Sequence, residues 1–261
     1  MSGPESGLLS RLLTWGFRRY VRRFVRSNFN AARVVGQESL LQVGEQPLVV
    51  YVNHPGWWDP MVAVLLTDLL LSAHRFAAPM DAEALQRYPI LERLGFFGVS
   101  RETISGAREF LRNSRGVLQH SRTALWITPT GHFHDVRQAL PFQPGLAHLV
   151  DRSFGGVVLP LALEYPFWNE RRPELLAAFG SVVDCSQLSE DREERTGQLE
   201  FGLREAQERL SKLAIARDPS AFTTLVDGSA GIGGWYDVWR RLMFWRRGQR
   251  FVERHEERAH G

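Results

Sequence analysis

Pro47-Leu48-Val49-Val50-Tyr51-Val52-Asn53-His54-Pro55-Gly56-Trp57-Trp58-Asp59-Pro60 is the stretch whose reading decides this chain. Its apolar run predicts a strand, and Asn-His-Pro-Gly predicts the turn that leaves it. His54 and Asp59 therefore stand five positions apart at a strand end, where sites gather in open α/β sheets. A carboxylate that accepts a hydrogen bond from one imidazole nitrogen fixes the tautomer and leaves the other nitrogen to take a proton. No serine or cysteine lies beside the pair. The proton would then come from a substrate hydroxyl or amine, which points to group transfer without a covalent acyl-enzyme. A chain with 8 His and 29 acidic residues holds several such pairs by chance. Position is what separates this one from the rest.

Outward from that turn, strand and helix signals alternate. Met61–Leu71 reads as a buried helix, Phe96–Ser100 as a short strand and Thr103–Gln119 as a helix. Leu125–Thr128 is a strand ending at Pro129-Thr130-Gly131, Leu146–Arg152 a helix and Gly156–Glu164 a buried strand. Leu176–Val183 adds a strand and Asp191–Ala214 a long charged helix. This order predicts an α/β fold with a mostly parallel central sheet flanked by helices. Pro160, inside the Gly156–Glu164 run, argues for an edge, a bulge or a strand end there. Residues 34–226 read as one domain, with a segment on either side.

Composition narrows the setting. The 261 residues, 44% hydrophobic and 23% charged, are ordinary for a globular protein. A single cysteine, Cys185, excludes an intrachain disulfide and the usual cysteine-rich zinc sites, fits a reducing compartment, and reads as an inert thiol. The net charge of +3 hides an uneven distribution in which Arg carries nearly all the positive charge; Lys212 is the only lysine.

Between Leu8 and Arg33 there are seven arginines (11, 18, 19, 22, 23, 26 and 33) and no acid. At 100° per residue, six of them fall opposite Leu9, Leu13, Phe17, Tyr20, Val21 and Phe24. Residues 1–33 thus predict a basic amphipathic helix lying on an anionic membrane surface. The same pattern fits a helix packed on its own domain with its arginines solvated; nucleic acid is not an expected partner. The interleaved Trp and Arg residues of the 227–261 segment also suit a headgroup layer and end in a solvated tail. With no signal-peptide pattern and no span-length apolar run, the expectation is a peripheral protein on the cytoplasmic face of a membrane.

Together these residues resemble the glycerophospholipid, or lysophospholipid, acyltransferase family. His54-Pro-Gly-Trp-Trp-Asp59 is similar to that family's H-x4-D motif, with its usual preceding Asn at Asn53. Gly95-Phe-Phe-Gly-Val-Ser-Arg101 resembles the second block. Trp126-Ile-Thr-Pro-Thr-Gly131-His-Phe with Leu140-Pro-Phe-Gln-Pro-Gly145-Leu-Ala-His148 resembles the third, and Val157-Val-Leu-Pro160-Leu-Ala the fourth. The four occur in the family's order over residues 48–165. The resemblance implies transfer of an acyl group from a thioester, on CoA or acyl carrier protein, to a lipid hydroxyl, with no further cofactor. It makes His54 the general base and Asp59 its support. It places Asn53, Arg101, Thr130, Gly131 and His132 at the substrate, with Arg101 on an anionic headgroup and backbone N–H groups around Gly131 on the oxyanion.

The departures are specific. Thr130 stands where the family has Glu, His132 where Thr is common, and Phe133 nearest to an Arg that is missing. Losing a carboxylate and a cation together argues for an acceptor other than lysophosphatidate, a less charged lipid alcohol. Two further readings compete. One is a metal-assisted hydrolase on His132, His134 and Asp135; the other is a lipid-binding protein on the same fold that has lost activity.

Overall fold

A computed structural model of the chain describes residues 4–100, 103–138 and 141–228, with residues 4–11 described by backbone alone. Helix α1 (Pro4–Asn28) leads into β1 (Ala31–Val35) and β2 (Leu48–Val52). Then come α2 (Asp59–Leu70), β3 (Arg75–Asp81), the short α3 (Ala82–Arg87) and α4 (Ile90–Arg93), and β4 (Phe96–Val99). After α5 (Ile104–Leu118), β5 (Thr123–Ile127) and α6 (Gly145–Leu149) follow β6 (Val157–Glu164), β7 (Leu175–Phe179) and β8 (Val183–Asp184). The long α7 (Arg192–Ala216) and β9 (Thr223–Asp227) complete the described chain.

The strands form one sheet in the order β4-β3-β5-β2-β6-β7-β1-β9, with β8 beside β6. Pairing is parallel from β4 to β6 and between β7 and β1, and antiparallel where β6 meets β7 and β8 and where β1 meets β9. The mostly parallel α/β sheet expected from the strand–helix alternation is what forms. Every residue of β2 is buried, as a central strand covered on both faces requires. Leu48, Val50 and Val52 pack with α1 and α2, whereas Val49 and Tyr51 pack with α5, α6 and α7. On α7, Leu199, Leu203, Ala206, Leu210 and Ala214 make a single buried stripe, so a helix charged in composition still docks. Its start is capped by the Asp191 carboxylate, which accepts from the N–H groups of Glu193 and Glu194.

Pro160 departs from expectation. It lies in the middle of β6, paired in register with Tyr51 of the central strand β2. Its carbonyl accepts from the Gly180 N–H on the β7 side, so the missing N–H faces that side too. There β8 pairs with residues 157 and 158 and β7 only from Leu161 onward. The proline occupies the gap between two partners, where no donor is needed.

The N-terminal region also differs. Its helix ends at Asn28, and residues 31–35 are a sheet strand. Val21, Val25 and Phe29 are buried in the main core, and Arg18 and Arg22 both pair with Asp68 of α2. Arg33, counted among the basic residues of an amphipathic helix, is instead buried on β1, with Nε 3.0 Å from the fully buried Glu174 carboxylate and Nη1 donating to Thr224 Oγ1. The period that reads as one long helix therefore merges a docked helix with a strand. Residues 229–261, including the C-terminal Trp/Arg segment, lie outside the described residues.

Breaking a buried ion pair leaves the other charge without compensation. Glu174→Ala is expected to lower unfolding stability by about 3–5 kcal/mol, read as a shifted urea midpoint. A midpoint unchanged from wild type would show that the pair does not hold β1 in place.

Candidate active site

The site begins where β2 ends. Asn53, the first residue past the strand, is buried, and its amide exchanges two hydrogen bonds with the Leu163 backbone of β6, at 3.0 and 2.7 Å. Expected at the substrate, it turns its amide to the backbone and ties β2 to β6 directly beneath the His54–Asp59 turn. His54 follows, and Gly56 faces the Tyr165 ring, with room for a side-chain carbon at van der Waals distance. Asp59 then opens α2, with Pro60 next to it in the first turn. Proline suits that position because the N–H it lacks has no partner there, and a carboxylate is favoured at the positive end of a helix.

His54 Nδ1 and Asp59 Oδ2 are 2.6 Å apart. With Asp59 ionised, Nδ1 carries the shared proton and Nε2 is left as the basic nitrogen, a tautomer assigned from the hydrogen bonding. Asp59 is almost fully buried and holds two more donors: the Tyr165 hydroxyl at 2.5 Å on its other oxygen and the Gly56 N–H at 3.3 Å. Burial, followed by the adjacent Asp59 charge, pushes the Tyr165 phenol well above its ordinary value, so it remains a donor. Tyr165 is in turn wedged against Trp58 (ring centroids 5.1 Å) and Phe29 (5.8 Å). Trp58 is thus a packing residue, while its neighbour Trp57 is exposed beside Phe24 of α1.

The loop after β5 supplies the opposite wall. The His134 N–H donates to the His54 carbonyl at 3.1 Å, and the Phe133 ring lies 4.3 Å from the imidazole. Thr130 is buried, and its hydroxyl donates within the loop to the His132 carbonyl. Gly131 has φ +75° and donates its N–H to the Thr128 carbonyl, closing the turn. That N–H is therefore occupied. The N–H groups of His132 and Phe133 meet no acceptor among the described residues. His132 itself is exposed, and Arg101 lies outside the described residues.

Behind this loop, on the α7 side of the sheet, a cavity of about 320 Å³ is lined by Thr130, His134, Phe142, Glu164, Arg204 and Gln207. Burial first, and then the Asp135 charge, raise the Glu164 carboxyl above the usual carboxylate range. The His132–His134–Asp135 cluster does not converge as a ligand set. Both Asp135 oxygens are engaged by the Arg137 guanidinium, at 2.7 and 2.6 Å, which holds that carboxyl well below the usual range. His134 Nδ1 faces the His132 carbonyl, 3.3 Å away. Among the described residues no three His, Cys, Asp or Glu side chains are grouped so as to hold a metal ion. Cys185 is buried, its thiol pushed up to about 12 chiefly by desolvation, as suits an inert core residue.

The pair was legible in the sequence; its supports were not. Tyr165 lies 106 residues from Asp59 and has no motif of its own, its one signal being its place directly after β6. Phe133 is visible in the sequence only as a residue standing near a missing arginine.

Residues 31–164, about half of the chain, match the acyltransferase family. No curated protein sequence matches this one. Among solved structures, the fold is similar to that of the 1-acyl-sn-glycerophosphate (LPA) acyltransferase PlsC from Thermotoga maritima. The TM-score is 0.55 at 16% identity, over 81% of this chain and 84% of that one.

Tyr165→Phe removes one charge-assisted hydrogen bond from Asp59 while keeping the ring. Bonds of that kind contribute about 1.5–3 kcal/mol, so turnover of an acyl-transfer assay is expected to fall about tenfold or more with little change in KM. Equal turnover in the two proteins would remove Tyr165 from the site.

Proposed function

This chain belongs to the acyltransferase family, and we propose that it moves a fatty acyl group from an acyl thioester, carried by CoA or acyl carrier protein, to a lipid hydroxyl at a membrane surface. The observation that carries this reading is the 2.6 Å contact between His54 Nδ1 and Asp59, which leaves Nε2 as the site's base. The acceptor hydroxyl gives its proton to Nε2 as its oxygen attacks the thioester carbonyl. Asp59 stabilises the imidazolium so formed. The tetrahedral intermediate then collapses, breaking the carbon–sulfur bond, and the proton on His54 passes to the departing thiolate. Acylated lipid and free thiol are the products.

The oxyanion of that intermediate needs preorganised donors. The N–H groups of His132 and Phe133, rather than that of Gly131, suit the task, because they stand on the loop fastened to the His54 carbonyl and are not claimed by another acceptor among the described residues. Asn53 and Thr130 act one step back as positioning residues, both buried with their polar atoms turned to backbone. Arg101 is the candidate headgroup contact carried by the family resemblance.

Thr130 and Phe133 leave the acceptor side without a carboxylate or a guanidinium at those positions, which favours a lipid alcohol less charged than lysophosphatidate. Attachment to an anionic membrane surface is supported by α1, which exposes Leu12, Trp15 and Tyr20 beside its arginines; Trp57 at the His54 turn is exposed as well. Among the described residues no helix is long and apolar enough to cross a membrane.

The test is mass spectrometry of a total lipid extract incubated with full-length protein and a labelled acyl thioester, wild type beside His54→Ala. A labelled lipid made by the wild type is expected, with turnover reduced about 10²–10⁴-fold in the variant. Undiminished labelling by His54→Ala would overturn the assignment of the base.

A further inference from the structure

A cleft of about 1080 Å³ opens between α1, the C-terminal half of α2, and the start of β3 with the end of α4. One wall carries Arg18, Arg19, Arg22, Arg23 and Arg26; Arg75 and Arg93 stand across from them. The one carboxylate in the lining, Asp68, is already bound by Arg18 at 3.2 Å and Arg22 at 2.7 Å. The remaining five guanidiniums meet no carboxylate among the described residues. Like charges gathered on both walls of a cleft repel across it unless an anion lies between them. Guanidinium groups also match phosphate oxygens bidentately.

The cleft is placed in relation to the catalytic turn by the two helices that build it. Asp59 and Asp68 lie nine residues apart on α2, about 13 Å of helix. A row of ring contacts runs the same way along α1, from Phe17 in the cleft through Tyr20 and Phe24 to Trp57, with centroids 6.1, 6.2 and 6.2 Å apart. An occupant anchored in the cleft can therefore lay an extended arm along the row and reach His54.

We propose that the Arg18–Arg26 and Arg75/Arg93 cleft binds the polyphosphate end of a nucleotide-linked acyl thioester, a coenzyme A ester, with its pantetheine arm directed along Phe17, Tyr20 and Phe24 to the catalytic turn. This rests on the acyl-transfer reading above. It selects between that reading's two donors on charge: five cations without a carboxylate, one of them (Arg19) stacked over Trp15, suit several phosphates on one molecule better than a single headgroup. Of the apolar residues exposed on α1, Trp15 lines the cleft and Tyr20 stands in the row, and Leu12 is in neither.

Calorimetric binding of free CoA to the full chain, without membranes, tests the subsite independently of turnover. The variant is Arg75→Ala/Arg93→Ala, which removes two exposed cations from the wall opposite α1 and leaves the docked face of α1 intact. The expected result is wild-type affinity that falls steeply with added salt, and a dissociation constant raised at least tenfold in the double variant. Pantetheine, which lacks the phosphates, should bind both proteins alike. Equal CoA affinity in the two proteins would overturn the proposal. So would a double variant that loses binding to phosphatidylglycerol vesicles while keeping CoA, which would make the cleft a headgroup site, or wild-type protein that binds acyl carrier protein and not CoA. CoA bound through Arg75 and Arg93 by a protein that acylates no lipid would uphold the subsite and refute the acyl-transfer reading.

Discussion

Everything at the site depends on one buried carboxylate. Asp59 has been taken almost wholly out of water, and an ion so placed persists only if its oxygens are fully engaged. Three donors converge on it: imidazole, phenol and backbone amide. The positive end of α2 adds a favourable field, on the order of 1 kcal/mol. Because two donors come from the turn after β2 and the third from the segment after β6, satisfying this carboxylate also brings the strand end, the helix start and the segment after β6 together.

That constraint explains the rigidity of the surroundings. The Asn53 amide joins β2 to β6, so His54 and Tyr165 leave the sheet from two strands held in register. Tyr165 cannot swing away, because Trp58 and Phe29 enclose its ring, and Phe29 is fully buried where α1 gives way to β1. The docking of the N-terminal helix is thereby linked to the orientation of His54. The loop that carries Thr130, Gly131 and Phe133 is fastened from the other side through the His54 carbonyl. Preorganisation of this kind is what the proposed role of His54 as a general base requires, since that contribution rests on geometry and charge.

The distribution of arginine follows a related logic. Where a guanidinium is buried, as at Arg33, it is paired and tied to the core. Where guanidiniums face the cleft beside α1, carboxylates are scarce. One residue type thus stands in two settings, distinguished by whether a fixed counter-charge lies within reach.

What the sequence determined by itself was local. The Leu48–Val52 run, the turn after it and the start of α2 fall within a few residues, so a strand end and a helix start present His54 and Asp59 to each other without help from elsewhere. The alternation of strand and helix signals likewise sufficed for a mostly parallel sheet. Tertiary structure decided the rest, for identifiable reasons. Arg33 looks solvated in a helical pattern because nothing nearby in sequence reveals that Glu174 will lie against it. Pro160 looks like an edge residue because the gap between β8 and β7 exists only once both have paired with β6. Asn53 reads as a substrate contact until Leu163 takes both ends of its amide. Tyr165 has no pattern at all, since a hydroxyl becomes the partner of a carboxylate 106 positions away only when the sheet that carries it has closed.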